Sequence, residues 1–94
     1  MIDLRQKSIV VTGGASGIGA AICTAAYEEG AAVGIIDIDS DAAVSLCRKL
    51  GPRAWCASGD VESESSMHAA LEALSRNMPV FNGCVTSAGI MPTR

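Results

Sequence analysis

The segment Thr12-Gly13-Gly14-Ala15-Ser16-Gly17-Ile18-Gly19 is the part of this chain best equipped for chemistry. Glycine has no Cβ, so the backbone can turn sharply and a phosphate can approach its N–H groups closely. A helix starting in this segment adds free N–H groups and the positive end of its dipole, both suited to a pyrophosphate. The spacing from Gly13 is G-x-x-x-G-x-G, and no G-K-[ST] follows, so this is not a Walker loop. The bland alternative is a tight turn between a strand and a helix, without a ligand. A second residue favours the ligand. Asp37 lies 18 residues after Gly19 (37 − 19), at the end of a second strand-like run. A carboxylate there accepts hydrogen bonds from ribose hydroxyls and repels a 2′-phosphate. No Arg or Lys stands at Ala15, Ser16 or Ile38 to favour such a phosphate.

These residues need elements to hold them, and the chain alternates between two kinds. The run S-I-V-V-T over 8–12 reads as a fully buried strand. A helix is expected over 17–29, with Ile18, Ala21, Ile22, Ala25 and Ala26 at the spacing of one face and Gly30 closing it. A second strand is expected over 32–36, closed by Asp37. A second helix covers 41–50, capped by Ser40 or Asp39 and stopped by Gly51-Pro52. Its face is Ala43, Leu46, Cys47 and Leu50. A weaker strand over 53–57 is followed by Asp60-Val61. A third helix spans 64–77, with Ser63 as N-cap and Met67, Ala70, Leu71, Leu74 and Met78 on its apolar face. A fourth strand over 80–86 leads into Ser87-Ala88-Gly89. The order β-α-β-α-β-α-β predicts an α/β fold with right-handed crossovers. The expected architecture is a Rossmann-like, doubly wound parallel sheet, for which the strand order would be 3-2-1-4.

Composition narrows the function classes. At 49% hydrophobic and 18% charged, the chain is not intrinsically disordered. Its net charge of −3 comes without a Lys/Arg cluster, which argues against nucleic acid as a partner. No apolar run reaches the roughly 18 residues that span a bilayer, so no membrane is expected. Asp3, Arg5 and Lys7 make the start unlike a signal peptide. Residues 1–94 are expected to form one small domain. Cys23, Cys47, Cys56 and Cys84 contain no C-x-x-C pair, and His68 is the only histidine, so no zinc cluster is expected. The cysteines read as free thiols and the location as cytoplasmic. His68 reads as a surface residue, Trp55 as packing, and Glu62, Glu64 and Glu72 as a solvated face.

With these elements in place, the run T-G-G-A-S-G-I-G resembles the T-G-x-x-x-G-x-G signature of the short-chain dehydrogenases/reductases. Asp37 resembles their NAD-selecting acid. Asp60-Val61 resembles the D-V pair after their third strand, where the carboxylate meets the adenine amino group. Ser87-Ala88-Gly89 resembles the second half of their N-N-A-G motif, with Thr86 and Ser87 at the two Asn positions. The resemblance implies an NAD site with Gly13, Ser16, Gly17, Ile18 and Gly19 at the pyrophosphate. Asp37, Ile38, Asp60 and Val61 would hold the adenosine, and Ser87, Ala88 and Gly89 would lie near the nicotinamide. It further implies hydride transfer with a small alcohol or carbonyl substrate, and a homo-oligomer for the complete protein.

The family's catalytic Ser and Y-x-x-x-K pair are not found in these 94 residues. Tyr27 is the only tyrosine, and Ala31 stands four residues on. The chain is therefore expected to be a cofactor-binding half that stops after the fourth strand. Two alternatives are a non-catalytic dinucleotide-binding module and, less favoured, an S-adenosylmethionine-binding Rossmann domain.

Overall fold

The structure is a computed structural model that describes residues 5, 7–13, 15, 17–78 and 83–86, the last four by backbone alone. Seven elements alternate: β1 (Ser8–Thr12), α1 (Gly17–Glu28), β2 (Ala32–Asp37), α2 (Ser40–Leu50), β3 (Ala54–Ser58), α3 (Glu64–Ser75) and β4 (Gly83–Thr86). Every strand pairing is parallel, and the order across the sheet is β3-β2-β1-β4. The α/β, doubly wound reading therefore holds.

The two inner strands explain the architecture. Successive side chains of a strand point to opposite faces. Val11, Val33 and Ile35 enter one core with Cys23 and Ala26 of α1 and Ala43 of α2. Val10 and Ile36 enter a second core with Ala70 and Leu74 of α3 and with Met78. Runs that are apolar on both sides need cover on both sides, so α1 and α2 take one face and α3 the other. In α2 and α3 the expected apolar faces are the packed ones. Trp55 packs within β3, and His68, Glu62, Glu64 and Glu72 are exposed.

The face of α1 differs from expectation. Gly19, Cys23 and Ala26 are buried, with Ile22 and Tyr27 packed beside them. Ile18, Ala21 and Ala25 are exposed. This helix is apolar nearly all round, so the 3-4-7 template fits at two phases one residue apart. The sheet selects the phase that brings the small residues Gly19 and Cys23 inward, where a helix can lie close to strands.

The helix ends follow local chemistry. Asp39 Oδ1 accepts from Ala42 N–H at 3.1 Å and caps α2, and Ser63 Oγ accepts from Ser66 N–H at 3.2 Å and caps α3. α1 closes in a Schellman pair, Ala31 N–H to Ala26 O at 3.1 Å and Gly30 N–H to Tyr27 O at 3.0 Å, with Gly30 at φ 101°. Arg53 reaches back to that end. Its guanidinium donates to the carbonyls of Tyr27 and Ala31 and stacks 3.9 Å from the Tyr27 ring centroid. A cation at a helix C-terminus also opposes the helix dipole. α3 stops at Ser75, earlier than expected: the last turn tightens, with Asn77 N–H reaching Leu74 O three residues back at 3.1 Å, and Leu74 O also accepts from Met78 N–H at 2.9 Å. β3 begins one residue late, at Ala54. Residues 79–82 lie outside the described residues.

The three described cysteines, Cys23, Cys47 and Cys56, are thiols, not disulfides. Burial pushes the Cys23 thiol up from 9.0 to about 11. Burial, and then the neighbouring Cys56 thiol, do the same for Cys47. The folded state thus holds these protons more tightly than the unfolded chain, so stability present below pH 9.0 is lost as pH rises through about 11. Urea midpoints should fall across that window, and the fall should be shallower in Cys23→Ala. An equal fall in both would exclude Cys23 as a source. Gly59 allows a second test. A Cβ there would sit 2.8 Å from Ile36 Cγ2 and 3.1 Å from Ala70 Cβ, neither of which has a flexible stem to yield. Gly59→Ala should cost about 1–3 kcal/mol by overpacking, read as a lower urea midpoint at an unchanged m-value.

Candidate functional site

Parallel register brings the carboxyl ends of the strands to one edge. Thr12 is level with Ile36 of β2 and Thr86 of β4, and Asp37 is level with Ser58 of β3. Two backbone bonds carry the ladder past the strands: Gly13 N–H to Ile36 O at 2.7 Å, and Gly59 N–H to Asp37 O at 3.2 Å. Asp60 is therefore one residue from a backbone bond to Asp37. In open α/β sheets ligands bind beyond this edge.

The glycine-rich turn occupies the end of β1. Gly17 has φ +57°, and nothing lies within 4 Å of where a Cβ would stand. Crowding is thus not what calls for glycine there. The left-handed backbone is, and it leaves open space at the first turn of α1. Gly13 also has a positive φ, 65°. Gly19 is buried on the inward face of α1. Gly14 and Ser16 lie outside the described residues.

Asp37 ties this turn to the next one. Its Oδ2 accepts from Ala15 N–H at 3.1 Å, and its Oδ1 accepts from Asp39 N–H at 3.0 Å. One carboxylate thereby joins the glycine-rich turn, the end of β2 and the residue that caps α2. Each oxygen retains a further lone pair for a hydroxyl donor. Asp60 is held just as locally. Its N–H donates to Ser66 Oγ at 3.0 Å, its Oδ1 accepts from Glu62 N–H at 3.0 Å, and its carbonyl accepts from Ser63 N–H at 3.0 Å.

Around these carboxylates lie the exposed large hydrophobic residues of the described chain: Ile18 at 71%, Ile38 at 71% and Val61 at 47%. Each follows a different strand, β1, β2 and β3 in turn, and all three were singled out as ligand residues from sequence. Leaving such side chains in water forgoes roughly 1.5–3 kcal/mol each relative to full burial. The edge therefore combines an open backbone turn, fixed acceptors and uncovered apolar side chains. That combination suits a ligand with phosphate, hydroxyls and a flat apolar ring.

Gly13, Gly17, Ile18, Gly19, Asp37, Ile38, Asp60 and Val61 thus share this edge. Ser87, Ala88 and Gly89 follow the end of β4 and, like Ser16, lie outside the described residues. Ala15, Gly59 and Ser66 also shape the edge and were not identified as site residues from sequence. Gly59 carries a sequence signal only through its neighbour Asp60, and Ser66 reads as an ordinary helix residue. His68 is far from any such role: it stands on the outer face of α3, 3.7 Å from Glu72, which also meets Arg76 at 3.5 Å. Exposed pairs of this kind contribute little. Among the described residues no group of three His, Cys, Asp or Glu could hold a metal, and no described helix is long and apolar enough to cross a membrane.

Comparison with known proteins agrees with this geometry. Residues 7–94 match the short chain dehydrogenase family. The chain is 36% identical over 88 residues to a 3-beta-hydroxysteroid dehydrogenase of Comamonas testosteroni, covering 94% of this chain and 35% of that protein. It is 36% identical over 90 residues to 2-(S)-hydroxypropyl-CoM dehydrogenase 3 of Xanthobacter autotrophicus, covering 93% and 35%. Among solved structures it is similar to a 3-ketoacyl-(acyl-carrier-protein) reductase of Brucella melitensis in complex with NADH, at a TM-score of 0.75 and 32% identity, covering 79% and 31%. The chain thus spans 35% of the length of these sequence relatives. By the match over residues 7–94, this chain belongs to the short chain dehydrogenase family.

Proposed function

We propose that this chain is the dinucleotide-binding portion of an NAD-dependent dehydrogenase or reductase. One observation carries the reading most: Ile18, Ile38 and Val61 are uncovered around Asp37 and Asp60, at the carboxyl edge of the sheet. The pyrophosphate lies at Gly13, Ser16, Gly17 and Gly19, and the ribose hydroxyls donate to Asp37. The adenine lies between Ile38 and Val61, with its amino group toward Asp60. Ser87, Ala88 and Gly89 continue the site toward the nicotinamide. When bound, such a cofactor supplies hydride transfer to or from an alcohol or carbonyl carbon. The residues of this chain bind and orient it.

NAD is preferred to NADP because a 2′-phosphate would face the Asp37 carboxylate, and no described cation stands beside it. Proton transfer is not assigned to Tyr27. Its hydroxyl accepts from Arg53 N–H at 3.4 Å, at the C-terminal end of α1 and away from the cofactor edge. The whole protein would be a cytoplasmic homo-oligomer.

Calorimetric titration separates these readings. NAD should bind more tightly than NADP, and S-adenosylmethionine should not compete. Binding of S-adenosylmethionine alone would overturn the dehydrogenase reading. Asp37→Ala should weaken NAD about ten- to hundredfold, the range for hydrogen bonds to a charged group, and should narrow the gap to NADP. An unchanged gap would remove Asp37 from the selection. Gly17→Val places a β-branched residue at φ +57° and should abolish dinucleotide binding. Unchanged affinity in a folded variant would refute the turn as the pyrophosphate site.

A further inference from the structure

We infer that Ser66, which touches no ligand position, is a positioning residue that sets Asp60 for recognition of the adenine amino group. This rests on the proposed adenine contact of Asp60. Ser66 stands in the first turn of α3, and both of its polar ends are engaged. Its N–H donates to Ser63 Oγ at 3.2 Å, and its hydroxyl oxygen accepts from Asp60 N–H at 3.0 Å. A residue three places after an N-cap often reaches back to the N-cap's own N–H. Ser66 instead reaches three residues further, to the residue that carries the carboxylate.

The other bonds at Asp60 come from within its own turn, from Glu62 N–H and Ser63 N–H. Ser66 is the side-chain link from the backbone of Asp60 to the body of α3. Ala70 and Leu74, one and two turns further along α3, are in the core beneath the sheet. The hydroxyl of Ser66 therefore transmits the position of a packed helix to the backbone of Asp60. The Asp60 carboxylate keeps Oδ2 for a donor while Oδ1 is occupied. Without the hydroxyl, the Asp60 N–H loses its acceptor, and Asp60 is held only through its chain neighbour Gly59, bonded to Asp37, and through Ser63. The expected loss is in discrimination at the base, not in grip on the pyrophosphate.

The test compares NAD with its deaminated analogue, which carries hypoxanthine in place of adenine, by calorimetry on the 94-residue chain. The wild type should prefer NAD, because the hypoxanthine carbonyl would face a carboxylate. Ser66→Ala should weaken NAD about three- to tenfold, the scale of one hydrogen bond, and change the analogue less, so the preference shrinks. Ser66→Thr keeps the hydroxyl and should restore the preference. Ser66→Cys keeps the side-chain shape with a somewhat larger and much poorer acceptor, and it should lower the preference as expected for Ser66→Ala even if the alanine variant fails to fold. A purely structural role would weaken both ligands equally, and an unchanged ratio in folded Ser66→Ala or Ser66→Cys overturns the inference. Tight NAD binding with no preference in the wild type would instead overturn the Asp60 contact, and the inference with it.

Discussion

Burial of β1 and β2 on both faces is the constraint from which the rest of this structure follows. Val10 and Val11 are neighbours in sequence and enter opposite cores, as do Ile35 and Ile36. A strand of this kind cannot leave one side in water, so each needs a helix above and a helix below. Parallel pairing with helical crossovers satisfies that need within a short chain. It also sends every strand toward the same edge. The connections at that edge start at the same level, which is why a glycine turn, Asp37 and Asp60 meet there although they are far apart in sequence.

The edge is organised by backbone donors meeting carboxylates. Asp37 accepts from Ala15 and Asp39, Asp39 caps α2, and Asp60 accepts from Glu62 while Ser63 caps α3. Turns of this sort hold acidic side chains in fixed directions without burying them. A ligand at this edge would meet acceptors whose geometry is already set, with less ordering left to be done on binding. The uncovered Ile18, Ile38 and Val61 are the apolar counterpart of the same edge.

Much of this was legible in the residues. Element order, the faces of α2 and α3, the Ser63 cap and the acid after β2 each carry a local signal: a period, a capping side chain, a glycine. The phase of α1 was not legible, because Ile18, Ala21 and Ala25 satisfy the same spacing as Gly19, Ile22, Cys23 and Ala26. Only contact with the sheet distinguishes them. The end of α3 was missed for a related reason: Arg76 and Asn77 continue a helical pattern, but Met78 turns in to the core. The roles of Ala15, Gly59 and Ser66 escaped because each depends on a partner in another element. A hydroxyl in a helix reveals its acceptor role only once the preceding turn is in place, and a glycine reveals crowding only once Ile36 and Ala70 stand beside it.

Tyr27 and Arg53 give the molecule a different character at its two ends. At the end opposite the carboxylates, one guanidinium joins the close of α1, the start of β2 and the start of β3 through carbonyls and an aromatic ring. At the carboxyl edge the joints are single N–H bonds between short turns. The scaffold is thus keyed shut at its base and hinged lightly at its rim, like a clasped book. A small adjustment of the rim would leave the joint at the base in place.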